Sequence, residues 1–138
     1  MAITTGDGPA APGCAVLVVD DDRDIRETLE EVLAYEGYSV ATAKNGAEAL
    51  TAARALHPSL ILLDLFMPVM DGAEFRRQQR HDPAIGDIPV IVVSAAAGLA
   101  ERVAGLGVAG ALEKPLHIEE LFEVVAKYCG DAARPREE

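Results

Sequence analysis

The stretch Ala15-Val16-Leu17-Val18-Val19-Asp20-Asp21-Asp22 decides the fold. An unbroken apolar run of strand length stops at three carboxylates. A strand with one face in water would carry a polar residue at every second position, so a continuous run reads as a strand buried on both faces. Ser59 to Asp64 repeats the pattern and also closes on an aspartate, and Ile88 to Ser94 is a third such run, closed by a hydroxyl. Strands of this kind need helices over both faces. Ile25, Leu29, Val32 and Leu33 recur at helical spacing in a segment from about Arg23 to Glu36, closed by Gly37. A short strand, Tyr38 to Ala43, precedes Asn45-Gly46-Ala47-Glu48, whose Asn and Glu stand three apart like a capping box for a helix from Ala47 to His57. Pro58 ends that helix.

Toward the C-terminus a weakly patterned helix is predicted from about Gly72 to His81, in which only Ala73 and Phe75 are apolar. Its run Arg76-Arg77-Gln78-Gln79-Arg80 reads as a solvated face. Leu99 to Leu106 is expected to be a short or mobile helix, because Gly98, Gly105 and Gly107 crowd it and an interior glycine costs about 1 kcal/mol relative to alanine. Val108 to Leu112 reads as a brief fifth strand. Ile118, Leu121, Phe122 and Val125 then share one face of a last helix running to about Cys129. Strands and helices alternate throughout, which argues for an α/β protein with a parallel sheet covered on both sides. Residues 1–13, rich in glycine and proline, read as a flexible lead-in, 14–129 as the folded domain, and 130–138 as a polar tail.

A chain of 138 residues fits a single core. Its 12 Lys+Arg against 23 Asp+Glu give a net charge of -11. That excess repels phosphate backbones and anionic lipid, so direct nucleic-acid binding and membrane insertion are not expected. No apolar run approaches the roughly 20 residues needed to span a bilayer, and a cytoplasmic location is expected. Cys14 and Cys129 are too few and too isolated for a disulfide framework or a zinc site.

In an open α/β sheet, ligands bind beyond the carboxyl ends of the strands. That rule selects Asp20-Asp21-Asp22, Asp64, Ser94 and Lys114-Pro115. Carboxylates a few ångströms apart repel by about 1 kcal/mol per pair in water and about 4 at an effective dielectric of 20, so the cluster needs a cation. All-oxygen ligands suit a hard ion, which points to Mg2+. One carboxylate could then attack a phosphoryl group in line, with an ammonium and a hydroxyl near its oxygens.

Val16 to Asp22, the run Leu62-Leu63-Asp64-Leu65-Phe66-Met67-Pro68-Val69-Met70-Asp71-Gly72, then Val93-Ser94-Ala95 and Glu113-Lys114-Pro115 together resemble the receiver domain of two-component response regulators. The resemblance covers about Cys14 to Cys129. It implies a doubly wound five-stranded parallel sheet of flavodoxin-like order 2-1-3-4-5 with five helices. It further implies that Asp64 is the phosphoacceptor, and that Asp20, Asp21, Asp64 and the backbone carbonyl of Phe66 hold Mg2+, Asp21 directly and Asp20 mainly through water. Ser94, the backbone of Ala95 and Lys114 would contact the phosphoryl group, and the Lys114–Pro115 bond would be cis. The implied partners are a sensor histidine kinase or histidine phosphotransfer protein and a downstream protein target. Such a domain is not expected to be an enzyme in its own right, only to assist its own phosphorylation and dephosphorylation.

Two departures stand out. The family's usual aromatic residue three positions before the lysine is Ala111 here, so an aromatic rotamer switch is not available. The stretch from Ser94 to Lys114 is also short and glycine-rich, and output through order and disorder of its helix is the expectation. Too few residues follow Cys129 for an output domain, so a stand-alone receiver is expected. Two rivals stand beside this reading. One is a pseudo-receiver that acts as a phosphorylation-independent interaction module. The other is a phosphatase using Asp20-Asp21-Asp22 as an Asp-x-Asp motif, for which the chain has no room to build a substrate cap.

Overall fold

The computed structural model describes residues 15–129. The expected lead-in and tail, and Cys14, lie outside these residues. Five strands and five helices alternate: β1 (Ala15–Val19), α1 (Arg23–Tyr35), β2 (Ser39–Ala43), α2 (Gly46–Leu56), β3 (Leu60–Leu63), α3 (Gly72–Arg80), β4 (Val90–Ser94), α4 (Leu99–Val103), β5 (Gly110–Glu113) and α5 (Ile118–Cys129). All strand pairings are parallel, and the sheet order is β2-β1-β3-β4-β5. This is the flavodoxin-like order the sequence implies. Among the described residues no helix is long and apolar enough to cross a membrane.

Successive strand side chains point to opposite faces, so each apolar run feeds two cores at once. Val16, Val18, Leu60 and Leu62 pack on one side with Leu29 and Leu33 of α1 and Leu121 and Val125 of α5. Leu17, Val19, Ile61 and Leu63 pack on the other with Ala49, Leu50 and Ala53 of α2 and Phe75 of α3. The register Val16↔Leu60 through Val19↔Leu63 brings β1 and β3 to an end together, so Asp20 and Asp64 emerge side by side.

Helix starts follow their caps. The Asp22 carboxylate accepts the N–H groups of Asp24 and Ile25 and so opens α1. Asn45 accepts the Glu48 N–H at 2.9 Å, but the Glu48 carboxylate takes the N–H of Lys44 rather than that of Asn45. The reciprocal pairing is therefore displaced by one residue. α2 ends on His57, in a left-handed conformation with φ of 49°.

The glycine-rich segment departs furthest from the sequence reading. α4 stops at Val103 instead of Leu106, and β5 spans Gly110–Glu113 instead of starting at Val108. Gly105 and Gly107 adopt φ of 85° and 71°, which breaks the helix and delays the ladder. A second correction concerns α3. Arg76 and Gln79 are not on a solvated face: they are 8% and 0% exposed. Arg76 donates through Nε to the Leu106 carbonyl at 2.9 Å, through Nη2 to the Gly107 carbonyl at 2.7 Å, and through Nη1 to Gln79 Oε1 at 2.6 Å. The Gln79 amide in turn donates to the carbonyls of Ile85 and Ile88. Polar side chains thus replace apolar packing between α3 and the turns beside it.

Candidate functional site

The carboxyl edge of the sheet is built by main-chain bonds that continue past the strands. Asp20 N–H donates to the Ala43 carbonyl, Asp64 N–H to Val19, and Lys114 N–H to Ser94. These bonds hold the first residue after each strand in line with its neighbour. Four of the polar side chains predicted from sequence, those of Asp20, Asp21, Asp64 and Lys114, consequently converge. Asp20, Asp21 and Asp64 each present a carboxylate oxygen within 4.8 Å of the others. Lys114 Nζ lies 2.7 Å from Asp20 Oδ2 and 3.9 Å from Asp64 Oδ2. Asp20, Asp64 and Ser94 are buried, while Asp21 faces solvent.

The three carboxylates differ in how far they are already satisfied. Asp20 is fixed from every side: its Oδ1 accepts the Asp22 N–H at 2.9 Å, its Oδ2 holds Lys114, and its carbonyl accepts Arg26 Nη1 at 2.9 Å. Among the described residues Asp64 has only the more distant ammonium and a main-chain bond from Leu65. Burial, reinforced by the charge of Asp20 and opposed by Lys114, pushes the Asp64 carboxyl up to about 6. The ammonium therefore leaves part of the clustered negative charge uncompensated. Oxygen ligands of a small divalent ion stand about 2.1 Å from it, so oxygens within 4.8 Å of one another can share such an ion after small rotations. The residues present fit a hard cation.

Ser94 Oγ accepts the Ala96 N–H at 3.2 Å, which leaves its own proton free to donate elsewhere. The Lys114–Pro115 peptide is cis. Below the site, a Cβ on Gly72 would fall 2.3 Å from the Asp64 carbonyl, so only glycine lets α3 approach this closely. Ala95 is exposed beside Ser94, and Ala111 is exposed on β5, the edge strand. Phe66 is 55% exposed, and the guanidinium of Arg102 on α4 lies over its ring at 5.3 Å. Sequence reasoning missed two neighbours of the site, Arg26 and Arg102. For Arg26 a signal existed, since an arginine one turn after an N-cap aspartate can reach back to the preceding strand end.

Residues 16–126 match the sequence pattern of the response regulator receiver domain. The chain belongs to this family. Among the relatives of the receiver domain is response regulator MprA of Mycolicibacterium vanbaalenii, 46% identical over 110 residues, covering 78% of this chain and 46% of that protein. MprA of Mycobacterium avium is likewise 46% identical over 110 residues, covering 78% of this chain and 47% of the relative. The chain spans about half the length of these curated relatives. Among solved structures, chemotaxis response regulator CheY4 of Vibrio cholerae superposes with a TM-score of 0.76 at 32% identity, over 83% of this chain and 98% of that one. The receiver domain of a sensor histidine kinase from Pseudomonas aeruginosa, solved with a magnesium ion coordinated in its active-site cleft, gives a TM-score of 0.78 at 28% identity, over 86% and 98% of the two chains. The receiver fold and the membership of this chain in the receiver-domain family are thereby shown.

Proposed function

We propose that this receiver domain accepts a phosphoryl group on Asp64 from a histidine kinase or a phosphotransfer protein, in a Mg2+-dependent reaction, and signals through altered affinity for a protein partner. The observation that carries the reading is the placement of Asp64 at the end of β3, a buried carboxylate with Lys114 at 3.9 Å and the oxygens of Asp20 and Asp21 within 4.8 Å. Asp20, Asp21, Asp64 and the Phe66 carbonyl would hold the ion. When bound, Mg2+ supplies charge neutralisation at the phosphoryl oxygens.

An ionised Asp64 oxygen attacks phosphorus as the bond to the donor's imidazole nitrogen breaks, and the electron pair leaves with that nitrogen. Lys114 sits where negative charge gathers on the transferred group. The unspent Ser94 proton and the Ala95 N–H are suited to donate to its oxygens. Asp20 is not the nucleophile: one of its oxygens already accepts the Asp22 N–H and the other holds the Lys114 ammonium, and its remaining lone pairs would serve the ion mainly through water. It holds the ammonium in place.

The exposed methyl of Ala111 favours a second reading, an interaction module that works without phosphorylation, since it offers no aromatic side chain to change rotamer. One experiment separates the two. The protein is incubated with a small-molecule phosphodonor and Mg2+ and weighed. A gain of about 80 Da in wild type and none in Asp64→Asn supports phosphotransfer; no gain in either supports the interaction module.

A further inference from the structure

Asp20 is the best-fixed residue of the site, and its backbone is held by a side chain that the chemistry above leaves unused. Arg26 stands one helical turn after the cap of α1, with its own N–H bonded to the Asp22 carbonyl at 3.0 Å. Its half-buried guanidinium turns back and donates Nη1 to the Asp20 carbonyl at 2.9 Å. The turn Asp20-Asp21-Asp22 is thus closed from both ends: Asp22 N–H reaches Asp20 Oδ1, and Arg26 reaches Asp20 O. Asp21 lies in the middle of that turn, exposed, and among the described residues no side-chain hydrogen bond orients it. The place of its carboxylate is set by the backbone on either side of it.

We infer that Arg26 is a positioning residue for the divalent-cation site, acting through the Asp20 carbonyl to keep the Asp21 carboxylate within reach of Asp20 and Asp64. The inference rests on the reading of the acidic cluster as a Mg2+ site. It carries a sign that separates positioning from plain charge. A guanidinium near three carboxylates repels a cation, so on electrostatics alone its removal tightens Mg2+ binding. Loss of alignment weakens binding. Groups that orient metal ligands typically change affinity by 10–100-fold when removed, and a backbone route through one hydrogen bond places Arg26 at the lower end, about tenfold.

The test is calorimetric titration of Mg2+ into the full chain: wild type, Arg26→Gln, Arg26→Lys and Arg23→Gln, each checked for folding by circular dichroism. Arg23 is an exposed α1 residue paired with Glu27 and serves as a charge control. About tenfold weaker binding in Arg26→Gln, whose amide ends two bonds short of the Nη1 position, partial recovery in Arg26→Lys, whose ammonium reaches one bond further, and unchanged or tighter binding in Arg23→Gln are expected. Equal or tighter binding in Arg26→Gln overturns the positioning role while leaving the metal site intact. Absence of Mg2+ binding by wild type overturns the metal reading and this inference with it.

Discussion

Replacing Arg76 by methionine is expected to destabilise the domain by about 2–3 kcal/mol, although the sequence places Arg76 in a polar run on a helix. Methionine keeps an unbranched apolar stem and removes three donors. Leu106 retains one partner, because Arg80 Nη1 also approaches its carbonyl, at 3.3 Å. The Gly107 carbonyl and Gln79 Oε1 lose theirs, and each stranded acceptor costs about 1–3 kcal/mol. Against that stands the release of a buried charge: burial, with Arg80 nearby, holds the Arg76 guanidinium below its ordinary range, so part of its bonding already offsets desolvation. The balance is about 2–3 kcal/mol, or roughly a 10 °C fall in Tm for a domain of this size.

Urea unfolding followed by circular dichroism measures it, with m-values compared to confirm that both proteins unfold as one unit. Arg80→Met is the internal control. Its bonds to the Gly105 and Leu106 carbonyls are longer, 3.2 and 3.3 Å, and exposed, so a loss below about 0.5 kcal/mol is expected. A loss below about 0.5 kcal/mol in Arg76→Met, or equal losses in the two variants, would refute the claim that Arg76 holds the α4–β5 turn.

Two further outcomes are expected. The folded Asp64 pKa, about 6, lies above its unfolded value, so the stabilisation from protonated Asp64 is full below about pH 4 and is lost as pH rises through about 6. In chelator, wild type should lose about 1 kcal/mol more than Asp64→Asn between pH 5 and pH 7.5, a figure reduced for solvent screening; parallel pH profiles in urea titration would contradict this. Val69 is 83% exposed with φ of 68°, a conformation that costs an L-residue about 1–2 kcal/mol, so Val69→Gly should raise the Tm by a few degrees after the entropy cost of glycine. A lowered Tm in a thermal scan would show that Val69 is not strained.

What the sequence displays plainly is whatever depends on near neighbours. The unbroken runs at Val16–Val19 and Leu60–Leu63 announce doubly covered strands, and Asp22 announces its helix by a bond to residues two and three positions on. The site is legible for a related reason. A parallel sheet brings all its carboxyl ends to one edge, so a polar residue terminating an apolar run is near other such residues whatever the loop lengths. That geometry collects Asp20, Asp64, Ser94 and Lys114 without any knowledge of side-chain contacts. Strand boundaries are less legible near Gly105 and Gly107, because left-handed φ values move the start of β5 without changing the hydropathy pattern.

Arg76 and Gln79 were illegible because a polar run carries no sign of its acceptors. The carbonyls that Arg76 binds lie 30 and 31 residues away, at Leu106 and Gly107. They come within reach only because the sheet order places β3 beside β4 and β4 beside β5, which sets α3 against the turn that precedes β5. Gly105 and Gly107 give that turn two residues with no side chain to pack, and its backbone carbonyls need donors. A guanidinium fork, with its stem packed in the helix face, meets both needs where a leucine would satisfy neither. The weak hydrophobic pattern of α3 and the glycine-rich turn are therefore one feature seen twice: the helix is polar where it meets the carbonyls of that turn.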